Sequence, residues 1–388
     1  MDITIQPRLL RGAVQAIPSK SQAHRYLICA ALSDKETVMV CPETCVDIEA
    51  TADCLNALGA SIARTDSGYH ISPMRQIPQQ AYLHCRESGS TLRFLLPIVG
   101  ALGIDATFHL EGRLPERPLS PLWEEMERMG CRLSRPTENT IHCCGTLKAD
   151  KYSIDGSISS QFITGLMFAL SLIPGKSSLE VTGTVESKPY IRMTGAAMEL
   201  FRAPDYQSPG FVSVERDWSN GAFWLAAAAL GNPVTVTGLN ADSVQGDCAV
   251  LPLLSALEEY GTIDASDIPD LVPILAVTAA AKKGATFTNI RRLRLKESDR
   301  VSAIVNMITA LGGAAEATEN TLTVQGTGFT GGRVEALGDH RIAMAAAIAA
   351  TACIVPVTIL GAEAVRKSYP TFWDVYKNLG GIYEQHIR

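Results

Sequence analysis

Lys296, Glu297, Asp299 and Arg300 stand within five residues of one another, and Asp270 follows the stiff pair Ile268-Pro269. Carboxylates set beside cations have their pKa tuned by those neighbours, which suits general acid–base work. The other candidates suit the holding of anions. Pro18-Ser19-Lys20-Ser21-Gln22-Ala23-His24-Arg25 precedes the apolar run Tyr26 to Leu32. Ser19 or Ser21 would cap a helix there, leaving free N–H groups beside Lys20 and Arg25. Cations at a helix start oppose the helix dipole, which favours a functional over a structural reason for them. Ser88-Gly89-Ser90-Thr91 with Arg93 lets a ligand approach backbone N–H groups closely. In Arg113-Leu114-Pro115-Glu116-Arg117-Pro118 two prolines hold a loop stiff around Arg117, a side chain that grips carboxylate or phosphate with two donors. Ser159-Ser160-Gln161, Asp339-His340-Arg341 and Lys367-Ser368-Tyr369-Pro370 also precede predicted helices. Singly, each of these is a capped helix or a surface loop. Together, an acidic chain that sets so many cations at helix starts is built to hold small polyanions.

Positioning these residues falls to a recurring phrase: an amphipathic helix, a Gly or a substitute, and a short strand. It occurs with its turn at Gly59, Gly130, Gly261, Gly312 and Gly380, and in degenerate form at Arg202. Gly ends a helix in the left-handed conformation without a Cβ penalty. Six copies in series predict one helix-and-strand unit repeated three times in each half, with a junction near Val214 to Asp217. The opening residues predict two short strands, and Arg294-Leu295 reads as strand-like, running in from Phe287 to Ile290. The charges after it would then lie at a strand-to-helix junction.

A chain of 388 residues is too long for one ordinary core, so two domains are expected. A net charge of −6 argues against general nucleic-acid binding. The N-terminus lacks the charged start and long apolar run of a signal peptide, and the apolar runs Ala222 to Leu230 and Ala343 to Ala352 are too short to span a bilayer. The expectation is a cytoplasmic protein without membrane or nucleic-acid partners. Ten cysteines without a CxxC pair or a zinc-like His spacing predict buried or idle thiols.

The set of motifs, in order and over nearly the whole chain, resembles the 5-enolpyruvylshikimate 3-phosphate synthases of the enolpyruvyl transferase family. The pieces are Ser19-Lys20-Ser21 with Arg25, Gly89-Ser90 with Arg93, Glu116-Arg117-Pro118, Ser159-Ser160-Gln161 and Ser187-Lys188-Pro189-Tyr190. They continue with Ile268-Pro269-Asp270, Lys296-Glu297-Ser298-Asp299-Arg300, Asp339-His340-Arg341 and Lys367. The resemblance implies an α/β fold: a two-domain inside-out α/β barrel, each domain made of three βαβαββ-type repeats with helices packed inside. The domains would be 19–214, and 1–18 with 215–388, with the active site in the cleft between them.

It further implies transfer of the enolpyruvyl group of phosphoenolpyruvate to the 5-hydroxyl of shikimate 3-phosphate, with release of phosphate, on the route to chorismate and the aromatic amino acids. Lys20, Arg117, Gln161, Arg300, Arg341 and Lys367 would hold phosphoenolpyruvate, with Gly89 and Ser90 near its phosphate. Ser21, Arg25, Ser159, Ser160, Tyr190, Asp270 and Lys296 would hold shikimate 3-phosphate. Lys20, Asp270 and Glu297 are the expected catalytic residues; no metal or organic cofactor is expected, and the protein is expected to be a monomer. The chain departs from the family by being short after Phe201 and between Tyr260 and Asp267, and by Glu87, Arg216 and Arg292. Two alternatives stand beside this. One is transfer to UDP-N-acetylglucosamine, against which Glu111 to Arg117 lacks the loop cysteine of those enzymes. The other is a non-catalytic anion-binding protein on the same fold.

Overall fold

The computed structural model describes residues 1–386, which divide into two compact units, Pro18–Glu215 and Met1–Ile17 with the described residues from Arg216 onward. The second unit is discontinuous and opens with β1 (Asp2–Gln6) and β2 (Gly12–Gln15). The continuous unit begins with α1 (Lys20–Leu32), β3 (Thr37–Val40), α2 (Val46–Ala57) and the hairpin of β4 (Ser61–Thr65) and β5 (Gly68–Ser72). The same order, led by a strand of its own, follows in β6 (Gln80–Arg86), α3 (Gly89–Leu102), β7 (Asp105–Leu110), α4 (Leu122–Arg128), β8 (Cys131–Ser134) and β9 (Thr140–Gly145). A shortened copy comes next: β10 (Lys151–Asp155), α5 (Ser160–Leu172), β11 (Ser178–Thr182) and α6 (Lys188–Leu200). Strand β12 (Phe211–Ser213) then pairs parallel with β3, giving the first copy its missing strand. The resulting sheets have the orders β12-β3-β5-β4, β6-β7-β9-β8 and β10-β11.

The discontinuous unit repeats the plan. Its shortened copy is α7 (Trp218–Ala229), β13 (Val234–Thr237) and α8 (Val250–Ala256), with β2 parallel to β13. A full copy follows in β14 (Gly261–Asp264), α9 (Val272–Ala281), β15 (Gly284–Thr288), α10 (Arg300–Ala310), β16 (Ala314–Ala317) and β17 (Thr321–Gln325). The last comprises β18 (Gly332–Glu335), α11 (His340–Ala349), β19 (Val357–Leu360), α12 (Phe372–Asn378) and β20 (Ile382–His386), with β1 lying between β19 and β20. Each unit thus has two four-stranded sheets and one of two strands. The shortened copies lack the closing strand pair, and they fall where the chain is short, after Phe201 and before Asp267.

The first helix of each copy is the most buried. In α9 every residue from Val272 to Ala280 is buried, and α11 is buried throughout. Beyond the first turn α9 is Ala with Val277 and Thr278, and α11 is Ala with Met344 and Ile348, without a charge on any face, so only an interior position suits them. Helix α5 comes so close to α3 that a Cβ on Gly165 would lie 2.1 Å from the Arg93 carbonyl oxygen. Two separate cores result, one per unit.

Most helix ends of the repeated phrase take positive φ, including Gly59, Gly130, Gly312 and Gly380, and Arg202 does so at +52° without glycine's freedom. Gly261 departs from the expectation: it opens β14, and the turn is made by the residues before it. Arg294-Leu295 is not strand-like. Asn289, at φ +58°, ends β15, and Arg291–Leu295 forms a 3-10 turn anchored by buried Ile290 and Leu293. All ten cysteines are free thiols, seven of them buried. Among the described residues, no helix is long and apolar enough to cross a membrane.

Candidate active site

In the continuous unit the candidate residues gather at the starts of α1, α3, α5 and α6. Ser19 caps α1, its hydroxyl accepting from the Gln22 amide at 3.4 Å. Lys20 opens the helix and donates to Asp47 in the first turn of α2 at 2.8 Å. One turn on, Arg25 is almost wholly buried. It donates to Ser21 O at 2.7 Å, Thr194 Oγ1 at 2.8 Å and Tyr190 O at 2.9 Å, with Phe94 beneath the guanidinium. Among the described residues no carboxylate pairs with it, and burial pulls its pKa down to about 10. A buried cation whose partners are all neutral is held ready for an anion.

Ser88 caps α3 in the same way. An added Cβ on Gly89 would meet Arg93 Nη1 at 2.7 Å and Arg117 Nη1 at 2.8 Å, so two guanidinium groups lie over this helix start. Arg93 donates to Gln161 Oε1 at 2.8 Å, and Gln161 donates on to Ser90 Oγ at 3.0 Å. Ser159 caps α5, with Ser160 buried behind it. Backbone N–H groups, two guanidinium groups and hydroxyls around one helix start form an anion cradle.

The discontinuous unit carries a charge network centred on Arg300, which is fully buried at the start of α10. Its Nε donates to Asp339 Oδ2 at 3.0 Å, Nη1 to Asp270 Oδ1 at 2.9 Å, and Nη2 to Glu297 Oε2 at 2.6 Å. Burial works against the Arg300 charge, but Asp339, Glu297 and Asp270 outweigh it and raise its pKa. Arg341, capped into α11 by Asp339, donates to Asp270 Oδ2 at 3.1 Å. Lys296 Nζ lies 4.0 Å from Asp270 Oδ1. Burial pushes Asp270 up, yet Arg341, Lys296 and Arg300 together hold its carboxyl well below the usual range. Burial, with Arg292 and Arg300 nearby, brings Lys296 down to about 8 against the pull of Asp270. Lys367 donates to Gly338 O at 2.7 Å, beside the start of α11. This unit therefore joins Asp270, Lys296, Glu297, Arg300 and Arg341 in one cluster, with Lys367 at its rim.

Three carboxylates of these clusters escaped the sequence reasoning as individual residues. Asp47 is far from Lys20 in the chain, and no local signal joins them. Asp339 announced itself only as a cap before an Ala-rich helix. Asp247, in the 3-10 turn Gly246–Ala249, is buried, and burial with the Asp270 charge pushes its pKa up to about 7. Its charge is therefore disfavoured by folding. The stability it contributes is complete below about pH 4 and is lost as pH rises through about 7. Asp247→Asn is expected to melt above the parent at pH 8, with the gain shrinking steadily as pH falls from about 7 towards 4, by thermal unfolding in matched buffers.

A family model, EPSP synthase (3-phosphoshikimate 1-carboxyvinyltransferase), matches residues 5–262 and 255–376. The 3-phosphoshikimate 1-carboxyvinyltransferase of Clostridium kluyveri is 38% identical, over 98% of this chain and 97% of its own. That of Clostridium acetobutylicum is 37% identical, over 98% and 97%. The EPSP synthase structure from Acinetobacter baumannii superposes with a TM-score of 0.77 at 21% identity, over 99% of this chain and 100% of that one. The enolpyruvyl transferase NikO from Streptomyces tendae gives 0.75 at 16%, over 99% and 98%. With motifs, fold and relatives in agreement over nearly its full length, the chain belongs to the EPSP synthase family.

Proposed function

We propose that the chain transfers the enolpyruvyl group of phosphoenolpyruvate to the 5-hydroxyl of shikimate 3-phosphate and releases phosphate, as a 3-phosphoshikimate 1-carboxyvinyltransferase of the shikimate pathway. Full-length identity to relatives of that name supports the activity. The observation that carries the chemistry is Asp270, set between Arg300 and Arg341, with Glu297 on the same Arg300.

In this reading Lys20, Arg117, Gln161, Arg300, Arg341 and Lys367 bind phosphoenolpyruvate, and the Gly89-Ser90 helix start takes its phosphate. Ser21, Arg25, Ser159, Ser160, Tyr190 and Lys296 bind the acceptor. Arg300 spends its Nε, Nη1 and Nη2 donors on carboxylates and retains one Nη1 N–H for a ligand. Its larger part is to hold Asp270 and Glu297 in place. Asp270 takes the proton of the attacking hydroxyl as its oxygen bonds to C2, and Glu297 gives a proton to C3. In the tetrahedral adduct so formed, the C2–O bond to phosphate breaks, the departing phosphate takes the proton held by Asp270, and C3 returns its proton to Glu297. Lys20 steadies the developing charge. The low pKa of Asp270 without ligands is consistent with this role, because bound anions compete for Arg341 and Lys296 and so restore its basicity.

The reading extends to the architecture: three repeats per domain closing as an inside-out barrel, with the buried first helices supporting it. Each unit contributes half of the machinery, and the enzyme acts as a cytoplasmic monomer, checked by its mass in solution.

Gly89→Ala tests the phosphate cradle. Its Cβ would displace Arg93 or Arg117, and one lost charge-assisted hydrogen bond costs about 1.5–3 kcal/mol. The KM for phosphoenolpyruvate should rise on the order of 10–100-fold in steady-state assays. The reading as a whole is tested by phosphate release from phosphoenolpyruvate, with shikimate 3-phosphate and UDP-N-acetylglucosamine run side by side. Release with the first acceptor alone is expected. Release with neither would overturn it and direct attention to a different acceptor, with buried Arg292 beside Lys296 as the first residue to examine.

A further inference from the structure

A chain of buried hydroxyls links three helices of the continuous unit. His24 Nδ1 lies 2.7 Å from Thr51 Oγ1, Thr51 Oγ1 lies 2.7 Å from Thr91 Oγ1, and Thr91 donates its hydroxyl to Ser88 Oγ at 2.7 Å. All four residues are almost completely buried. The direction follows from proton counting. Because Thr91 gives its only hydroxyl proton to Ser88, it must accept from Thr51. Thr51 has then given its proton too, so it must accept from His24. The Nδ1 atom of His24 therefore carries the proton, and Nε2 keeps a bare lone pair, in keeping with its having no hydrogen-bond partner.

The chain runs parallel to the ion pair at the helix starts. Lys20 lies one turn before His24 on α1, and Asp47 one turn before Thr51 on α2, the two bonded at 2.8 Å. At the far end Ser88, which accepts from both the amide and the hydroxyl of Thr91, caps α3 next to Gly89 and Ser90. We propose that His24, Thr51, Thr91 and Ser88 form a one-way relay that fixes the position of Lys20 relative to the Gly89-Ser90 helix start, with His24 as its positioning residue. This rests on the reading that Lys20 and that helix start serve one anionic ligand. Burial, followed by the charges of Lys20 and Arg25, holds His24 well below the ordinary histidine range, so the relay keeps its direction throughout the neutral range.

Two measurements on the full chain test it. With 15N-labelled histidine, NMR should show His24 as the Nδ1–H tautomer, unchanged between about pH 5.5 and 8. An Nε2–H tautomer or a titration in that range overturns the relay. In kinetics, Thr91→Val should raise the KM for phosphoenolpyruvate about tenfold, the loss expected for one buried hydrogen bond. The KM for shikimate 3-phosphate should stay within about twofold, and Thr91→Ser should restore the parent value. A folded Thr91→Val with unchanged KM overturns the positioning role; if that variant does not fold, Thr51→Val takes its place under the same criterion. Should the parent show no turnover, the functional reading fails separately. Calorimetry with inorganic phosphate then decides: about tenfold weaker binding by Thr91→Val upholds the relay, and equal binding removes it.

Discussion

Asp270→Asn is expected to lower kcat by about 10²–10⁴-fold, the usual contribution of a well-placed acid or base. The substitution keeps the shape and one acceptor oxygen but removes the charge that draws Arg300, Arg341 and Lys296 together. Phosphoenolpyruvate should still bind, because its own charges take the place of the lost carboxylate among those cations. Single-turnover measurements should therefore place the defect in the chemical step. Glu297→Gln separates the two proton transfers. It is expected to abolish the passage of solvent deuterium into C3 of phosphoenolpyruvate, with a loss of kcat of similar size. Full turnover by Glu297→Gln would remove Glu297 from the mechanism, whereas normal turnover by Asp270→Asn would remove Asp270.

Arg300→Met should have the largest effect on stability. The guanidinium is fully buried and binds Asp339, Asp270 and Glu297 within 3.0 Å. Removing it leaves Asp339, itself buried and capping α11, without its principal cation. Breaking a buried pair from one side costs about 3–5 kcal/mol. For a unit of this size the melting temperature should fall on the order of 10 °C. Lowering the pH should narrow the difference, since protonation relieves the stranded carboxylates. Arg300→Lys keeps the charge but cannot reach three carboxylates, and is expected to lie between the parent and Arg300→Met. A melting curve for Arg300→Met that overlays the parent would show that the network contributes no net stability.

The site was more legible in the sequence than the contacts that hold it. Lys20, Gly89, Ser159, Arg300 and Arg341 announced themselves because helix starts have a recognisable grammar of caps, small residues and misplaced cations. The repeat was visible for a similar reason: glycine at a helix end is a backbone requirement, and Arg202 shows that the requirement persists where the glycine is absent. What stayed hidden was pairing at long range. Nothing local joins Lys20 to Asp47, or Arg300 to Asp339 across the chain. Asp247 is conspicuous only for its burial, which no single stretch of sequence reveals. The strand-like reading of Arg294-Leu295 failed because alternation over so few residues cannot tell a strand from a 3-10 turn anchored by Ile290 and Leu293.

The placement of β1 between β19 and β20 has a consequence for how the chain comes off the ribosome. The partners of β1 are synthesised roughly 350 residues later, which at about 5–20 residues per second is a delay on the order of 20–70 s. The unit from Pro18 to Glu215 is continuous in sequence and has a core of its own, so its residues are all made before β19 emerges. Strand β1, with apolar Ile3 and Ile5 uncovered, must meanwhile wait for β19 and β20. Truncation near the C-terminus should therefore strand the N-terminus as well, and expose it to chaperones and proteases while the intervening unit stands intact.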